Sequence, residues 1–281
     1  MRMDVLLPAI AFTTVPVIVY SGPILSLTVG FAPGGTSSIA AQIIAEAFPK
    51  IAGYTVIVEN KPGAGGEIAA RWVRGMKSRA FLFMSSTSTL QAPPGPDLVP
   101  VALVARFDYV IVSRPETAAT LDAYVRASRD NRLLQNFATA GSKSIAHLIG
   151  AKLFRDADAQ GVHIPFKSSR EAVDAILKGV VGIAIVPEPD VVGRTDIAEI
   201  ARTGRDIDIG GWLGVFASSA TTLEEMRDVS RLLREASLAS VKKFRALGLQ
   251  SVWADGTALG ALHRSDYERL LPVLNSLDLA Q

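Results

Sequence analysis

The sequence predicts an α/β fold built as two units with a ligand cleft between them. Three observations carry that expectation. Short apolar, β-leaning runs alternate with amphipathic helical stretches, the pattern of a parallel sheet covered by helices. The alternation occurs in two successive sets, followed by a largely helical tail. Three of the loops that follow strands are rich in glycine or hydroxyl residues, at the place where open α/β sheets receive ligands.

The first set opens with 24–31 (ILSLTVGF), apolar enough for a buried parallel strand. A Pro-Gly-Gly turn leads into a helix over 37–48, in which Ile39, Ile43, Ile44 and Phe48 recur at helical spacing. The run 55–59 (TVIVE) is the next strand, followed by the turn-rich 60–66 and a helix from Glu67 to about Arg74. A third strand over 80–84 ends in the hydroxyl cluster 85–89, and the proline-rich 93–100 reads as a surface connection. The second set has strands at 101–105, 109–112, 136–139, 162–165, 182–186, 197–201 and 213–217, with helices at 121–129, 145–154 and 170–178. From Leu223 onward the pattern is helical, apart from a short β-like piece at 251–253.

Bulk composition narrows the function classes. The formal net charge is +2, from 29 basic and 27 acidic residues, so no broad basic face for nucleic acid is expected. Anion binding must then come from local geometry rather than from a global field. The absence of cysteine excludes disulfides, thiolate catalysis, cysteine metal sites and a lipidated N-terminal cysteine. Arg2, the apolar run 5–20 and the small exit residues Ser21 and Gly22 read as a secretory signal peptide over 1–22, with Asp4 tempering its basic start. The run is too short and too proline-broken for a membrane span.

Three loops carry the candidate chemistry. Ala32, Pro33, Gly34, Gly35 and Thr36 follow the first strand, and their glycines let N–H groups approach a ligand closely. The helix beyond aims its unpaired N–H groups and positive dipole end at the same spot. The hydroxyl cluster with Ser86, Thr87 and Ser88 is the second loop, and 139–144 with Thr139, Gly141 and Ser144 is the third. Donors of this type suit a carboxylate, which only accepts. Lys167, at a strand end, is placed to meet a ligand's charge or to extend into solvent. No metal-ligand spacing exists among the three histidines, and no nucleophile-elbow motif is present. Ser144 and His147, three residues apart, leave a hydrolase open as an alternative. Glu188 and Asp190 form a second conceivable carboxylate pair, although such proline-rich acidic turns are more often solvated.

In this order, several segments resemble the substrate-binding proteins of tripartite tricarboxylate transporters, the TctC or Bug family. They are Phe31-Ala32-Pro33-Gly34-Gly35, the run 58–66 (VENKPGAGG), 100–105 (PVALVA), Ala140-Gly141 with Ser144 and His147-Leu148, 163–167 (HIPFK) and 211–217 (GWLGVFA). The resemblance covers the chain from about Leu27 onward. It implies two Rossmann-like domains of the periplasmic binding protein type II-like class, with 23–105 plus 218–281 as the first and 106–217 as the second. It also implies a periplasmic location, no cofactor, a di- or tricarboxylate or aromatic acid as ligand, and a membrane permease with large and small subunits as partner. The candidate ligand-binding set then also takes in Phe31, Ser38, His147 and Phe166. A ligand sensor reporting to a membrane signalling partner would share the same cleft.

Several positions depart from the family pattern. Ser38 stands where an aspartate is usual, Gln42 where an arginine is, and Gly182 near another expected aspartate. Phe166 replaces a tyrosine, Ser168 a glycine, and 76–100 is shortened. Without an acid at Ser38, a plain acid is favoured over an amino acid as ligand.

Overall fold

The computed structural model describes residues 24–52, 54–77, 80–203 and 209–276. The segment read as a signal peptide lies outside them. The chain forms two sheets. In chain order the first sheet begins with β1 (Ile24–Val29), α1 (Thr36–Ala52), β2 (Thr55–Asn60), α2 (Glu67–Arg74), β3 (Ala80–Ser85) and β4 (Leu98–Phe107). The second contains β5 (Tyr109–Ser113), α3 (Leu121–Ser128), β6 (Asn136–Ala140), α4 (Ile145–Asp156), β7 (Val162–Phe166), α5 (Ser169–Leu177), β8 (Ile183–Pro187) and β9 (Ala198–Arg202). The chain then returns to the first sheet through β10 (Gly211–Ser218), α6 (Leu223–Ala239), α7 (Val241–Ala246), β11 (Gln250–Asp255) and α8 (Gly256–Ser276).

Strand order is β2-β1-β3-β10-β4-β11 in the six-stranded sheet and β7-β6-β8-β5-β9 in the five-stranded one. β1, β2 and β3 pair in parallel, as do β6, β7 and β8, while β10, β11, β5 and β9 pair antiparallel to their neighbours. Central strands are apolar throughout because helices cover both faces. β3 and β10 are buried at every position, whereas the edge strands β2 and β11 are only partly so.

Ile44 and Phe48 of α1 pack with Leu232 and Leu233 of α6 on one face of the first sheet, and Ala70 and Val73 of α2 with Leu259 of α8 on the other. In the second sheet α4 supplies Leu148 and Ile149 to one face, and α5 supplies Val173 and Ile176 to the other. Side-chain oxygens of Thr120, Ser144, Ser168 and Thr222 each accept a hydrogen bond from the helix they open, which fixes where α3, α4, α5 and α6 begin.

Two strand readings need correction. β10 pairs with β3 and β4, so the chain is back in the first sheet by Gly211 rather than at residue 218. A fully buried strand reads alike in either sheet, and its sequence does not say which neighbours it takes. The 93–100 connection is also shorter than expected, since β4 begins at Leu98 and Pro100 pairs opposite Phe216. Pro100 lies beyond the reach of β11, which ends opposite Ala102, and its missing N–H therefore costs no bond on that side.

The first crossing between the lobes is at Asp108, the one residue between β4 and β5, and the second lies between β9 and β10. Tyr109 N–H donates to Thr203 Oγ1 (2.7 Å), Thr203 N–H donates back to the Tyr109 carbonyl (2.8 Å), and Glu188 N–H donates to the Asp108 carbonyl (2.8 Å). Arg202 spans Asp108, Glu188 and Glu199 on the same side, at 3.5, 2.8 and 2.8 Å. No described helix is long and apolar enough to cross a membrane.

Candidate functional site

The candidate cleft lies where the loops after the carboxyl ends of the parallel strands in both lobes come together. On the first lobe, the loop after β1 holds Phe31, Ala32, Pro33, Gly34 and Gly35, with Pro33 and Gly34 exposed. Gly34 sits at φ +87°, with nothing within 4 Å of where a side chain would begin. Asn60, the last residue of β2, donates from Nδ2 to the Phe31 carbonyl (2.8 Å), while Ser38 Oγ donates to Asn60 Oδ1 (3.4 Å). Ser38 is fully buried and so braces the loop through Asn60.

On the second lobe, β6 ends in a tight turn with Gly141 at φ +89° and Lys143 at +59°. Gly141 N–H donates to the Phe166 carbonyl (3.0 Å), which ties the turn to the end of β7. Ser144 opens α4 by accepting from His147 N–H (3.2 Å) and donates to the Gly141 carbonyl (3.1 Å). Lys143 N–H donates to His147 Nδ1 (3.0 Å), so the ring proton is on Nε2. The Ser144 hydroxyl does not engage the His147 ring, and the contact that a nucleophile–base pair would need is not made. Thr139 Oγ1 donates to the Gly141 carbonyl (3.0 Å) and meets His163 Nε2 at 2.7 Å.

The His147 and His163 rings stack at 3.6 Å with a 17° tilt. Burial pushes His147 down to about 4, and burial with the neighbouring His147 pushes His163 to about 3, so both rings are neutral at physiological pH.

A glycine pair brings the loops together. Gly65 and Gly66, in the short 3₁₀ turn Ala64–Gly66, both have positive φ. A side chain at Gly66 would run into Ser88 Oγ and lie 3.9 Å from the Phe31 ring, and one at Gly141 would come within 3.7 Å of Gly65. Gln91 closes the gap between lobes by donating from Nε2 to the Lys143 carbonyl (2.6 Å).

The hydroxyl cluster divides into two parts. Thr87 Oγ1 lies 2.7 Å and Ser86 Oγ 3.3 Å from the Tyr109 hydroxyl, and Ser86 Oγ also accepts from Trp212 N–H (3.1 Å). Those two hydroxyls fasten the pivot, where burial pushes Tyr109 up to about 12 against the hydrogen bonds from Ser86 and Thr87. Ser88, against Gly66, faces the glycine turn instead. Phe166 is half-buried beneath the Gly141 turn, whereas Lys167 is exposed and gives its backbone N–H to Glu171 (3.2 Å).

The candidate ligand-binding set from the sequence did not include Gly65, Gly66, Gln91, Asn60 or Asp190. The first four were legible only as turn or surface residues. Asp190 is the larger correction, because the partly exposed Pro-Glu-Pro-Asp turn has both of its acids partnered. Its carboxylate accepts from Thr36 N–H (2.8 Å) and Thr36 Oγ1 (2.6 Å), across the cleft, while Glu188 pairs with Arg202. Burial raises the Asp190 carboxyl above its ordinary range, partly offset by hydrogen bonds from Ser169 and Thr36. Among the described residues, no group of three or more His, Asp or Glu is arranged to hold a metal ion.

The model of the tripartite tricarboxylate transporter family receptor, TctC, matches residues 39–205. The chain belongs to this family. A Cupriavidus necator relative described as "UPF0065 protein in gbd 5'region" is 27% identical over 174 residues, covering 58% of this chain and 53% of that protein. The aligned part thus spans about half of that relative's length. The solved structure of the periplasmic binding protein BugD superposes with a TM-score of 0.82 at 22% identity, covering 92% of this chain and 99% of that one. Rpa4515 of R. palustris with adipate gives 0.83 at 18%, covering 92% and 98%. MatC of Rhodopseudomonas palustris with bound malate gives 0.79 at 18%, covering 91% and 100%. These likenesses establish the two-lobed fold of a type II-like periplasmic binding protein.

Proposed function

We propose that the protein is an exported receptor that catches a small carboxylate between its lobes and delivers it to a membrane permease of one large and one small subunit. The observation that carries the reading is the pair of helix N-termini at one cleft, α1 from the first sheet and α4 from the second, each reached through a glycine at positive φ. Two such ends suit an acid carrying a carboxylate at each of its own ends. The adipate and malate bound in the two structural neighbours agree with a dicarboxylate. A single charged hydrogen bond contributes about 1.5–3 kcal/mol, whereas micromolar affinity needs roughly 8 kcal/mol net of ordering costs. One loop is therefore not enough, and closure of both lobes supplies the rest.

A thermal-shift screen against mono-, di- and tricarboxylates tests the reading. The right acid at a hundredfold excess over its Kd adds about 2.7 kcal/mol of stability. Gly34→Val forces a β-branched residue to positive φ in open space, so the fold survives while the ligand shift shrinks. If no acid shifts a well-folded protein, or if the Gly34→Val shift equals that of the wild type, the site is not here.

A further inference from the structure

Asp190 comes from the second lobe, in the short turn that follows β8. Its carboxyl group holds two hydrogen bonds from Thr36, the first residue of α1. One side chain of the second lobe thus closes the opening of a helix in the first. The described residues provide it with no ion-pair partner, since the nearby Glu188 takes Arg202 and Arg194 takes Asp174 and Asp196. What holds it is a helix N-terminus and a hydroxyl, the same kinds of donor that would hold a free carboxylate.

We propose that Asp190 is a built-in competitor for the ligand, its carboxylate filling the seat at the start of α1 that an incoming dicarboxylate must take. The inference rests on the receptor reading above and deepens it. It makes Asp190 the residue that sets affinity at the first-lobe end of the cleft. In the ligand-free protein Asp190 latches the lobes together. A ligand carboxylate entering the seat displaces Asp190 and keeps the lobes closed through its own two ends. Because the competitor is tethered, it acts at high effective concentration. Apparent affinity then falls by the fraction of time the seat is free, so a seat free about one-tenth of the time weakens binding about tenfold.

The test uses the mature chain, with adipate titrated calorimetrically into the wild type, Asp190→Asn and Asp190→Ala. Small-angle scattering of each ligand-free protein and a melting curve accompany the titrations. Asp190→Ala should bind adipate about tenfold more tightly than the wild type and scatter as a more open molecule without ligand. Asp190→Asn, isosteric but uncharged, should fall between them and carries the test if the alanine variant folds poorly. Wild-type binding that Asp190→Ala leaves unchanged or weakens overturns the competitor while leaving the receptor standing. If neither the wild type nor the variants bind adipate or any other acid in a carboxylate panel, both readings fall together.

Discussion

The two lobes open their cleft-facing helices in opposite ways. α4 in the second lobe is capped by a residue of its own lobe. Ser144 caps it, the Gly141 carbonyl takes the Ser144 hydroxyl, and Lys143 N–H is spent on His147. α1 in the first lobe has no such cap, and its opening N–H is taken by a carboxylate from across the cleft. The second lobe therefore orders its helix start by itself, while the first has its opening N–H held from across the cleft.

That contrast can be broken most forcefully at the far end of the second lobe. Gly182 precedes β8 at the end away from the cleft, and a side chain there would collide with the Tyr124 hydroxyl and come within 2.9 Å of the Leu134 backbone. The Tyr124 hydroxyl already donates to the Leu134 carbonyl (2.6 Å). Gly182→Asp, which would restore an expected family residue, should cost about 3 kcal/mol or more by overpacking and by burying a charge, read from urea melts. A small loss would mean that the second lobe is less rigid than its packing implies.

Acid should separate the lobes next. His147 and His163 in the second lobe, and His263 in the first, are held neutral by burial at about 4, 3 and 4. The unfolded chain takes up their protons near pH 6.5 and the folded one only much lower, so the unfolded state binds more protons in between. Stability is thus fully present above about pH 6.5 and falls as pH drops towards 4, by about 1.4 kcal/mol per pH unit for each such proton. The raised carboxyl of Asp190 has the opposite sign, since it takes up its proton earlier in the folded state and offsets part of the loss. With two of the three histidines in its core, the second lobe should lose amide-exchange protection first. Equal loss in both lobes would contradict this.

A gentler probe is Ser144→Ala, which removes the α4 cap and leaves the Gly141 carbonyl without its hydroxyl partner. It should cost about 1 kcal/mol by thermal melt, with the loosening confined to the second rim. The smallest effect is expected at Gln42, which is exposed on α1. Gln42→Arg should change stability by less than about 0.5 kcal/mol, and a larger change would reveal a contact that the fold does not suggest.

Most of the fold was legible because period and burial coincide. The stripe Ile39, Ile43, Ile44 and Phe48 marks α1, and the all-apolar run in β3 marks a central strand. What stayed hidden depends on partners distant in sequence. The sheet membership of β10 is set by β3 and β4, more than a hundred residues earlier. The hydroxyls of Ser86 and Thr87 look ready for a ligand until Tyr109 is seen among them. Asp190 looks solvated until folding brings it to Thr36, 154 positions away. The resemblance to the TctC family located the glycine turn 63–66 in sequence. Only the positive φ of Gly65 and Gly66, and their closeness to Gly141 and Ser88, place it between the loops of the two lobes.

The first of the two crossings between the sheets spends a single residue, Asp108, between buried Phe107 and buried Tyr109. A join that short has no slack for the lobes to slide apart at that point. Under the receptor reading proposed above, a longer acid would be met by a wider swing rather than a wider gap, and its chain length would set the angle between the lobes.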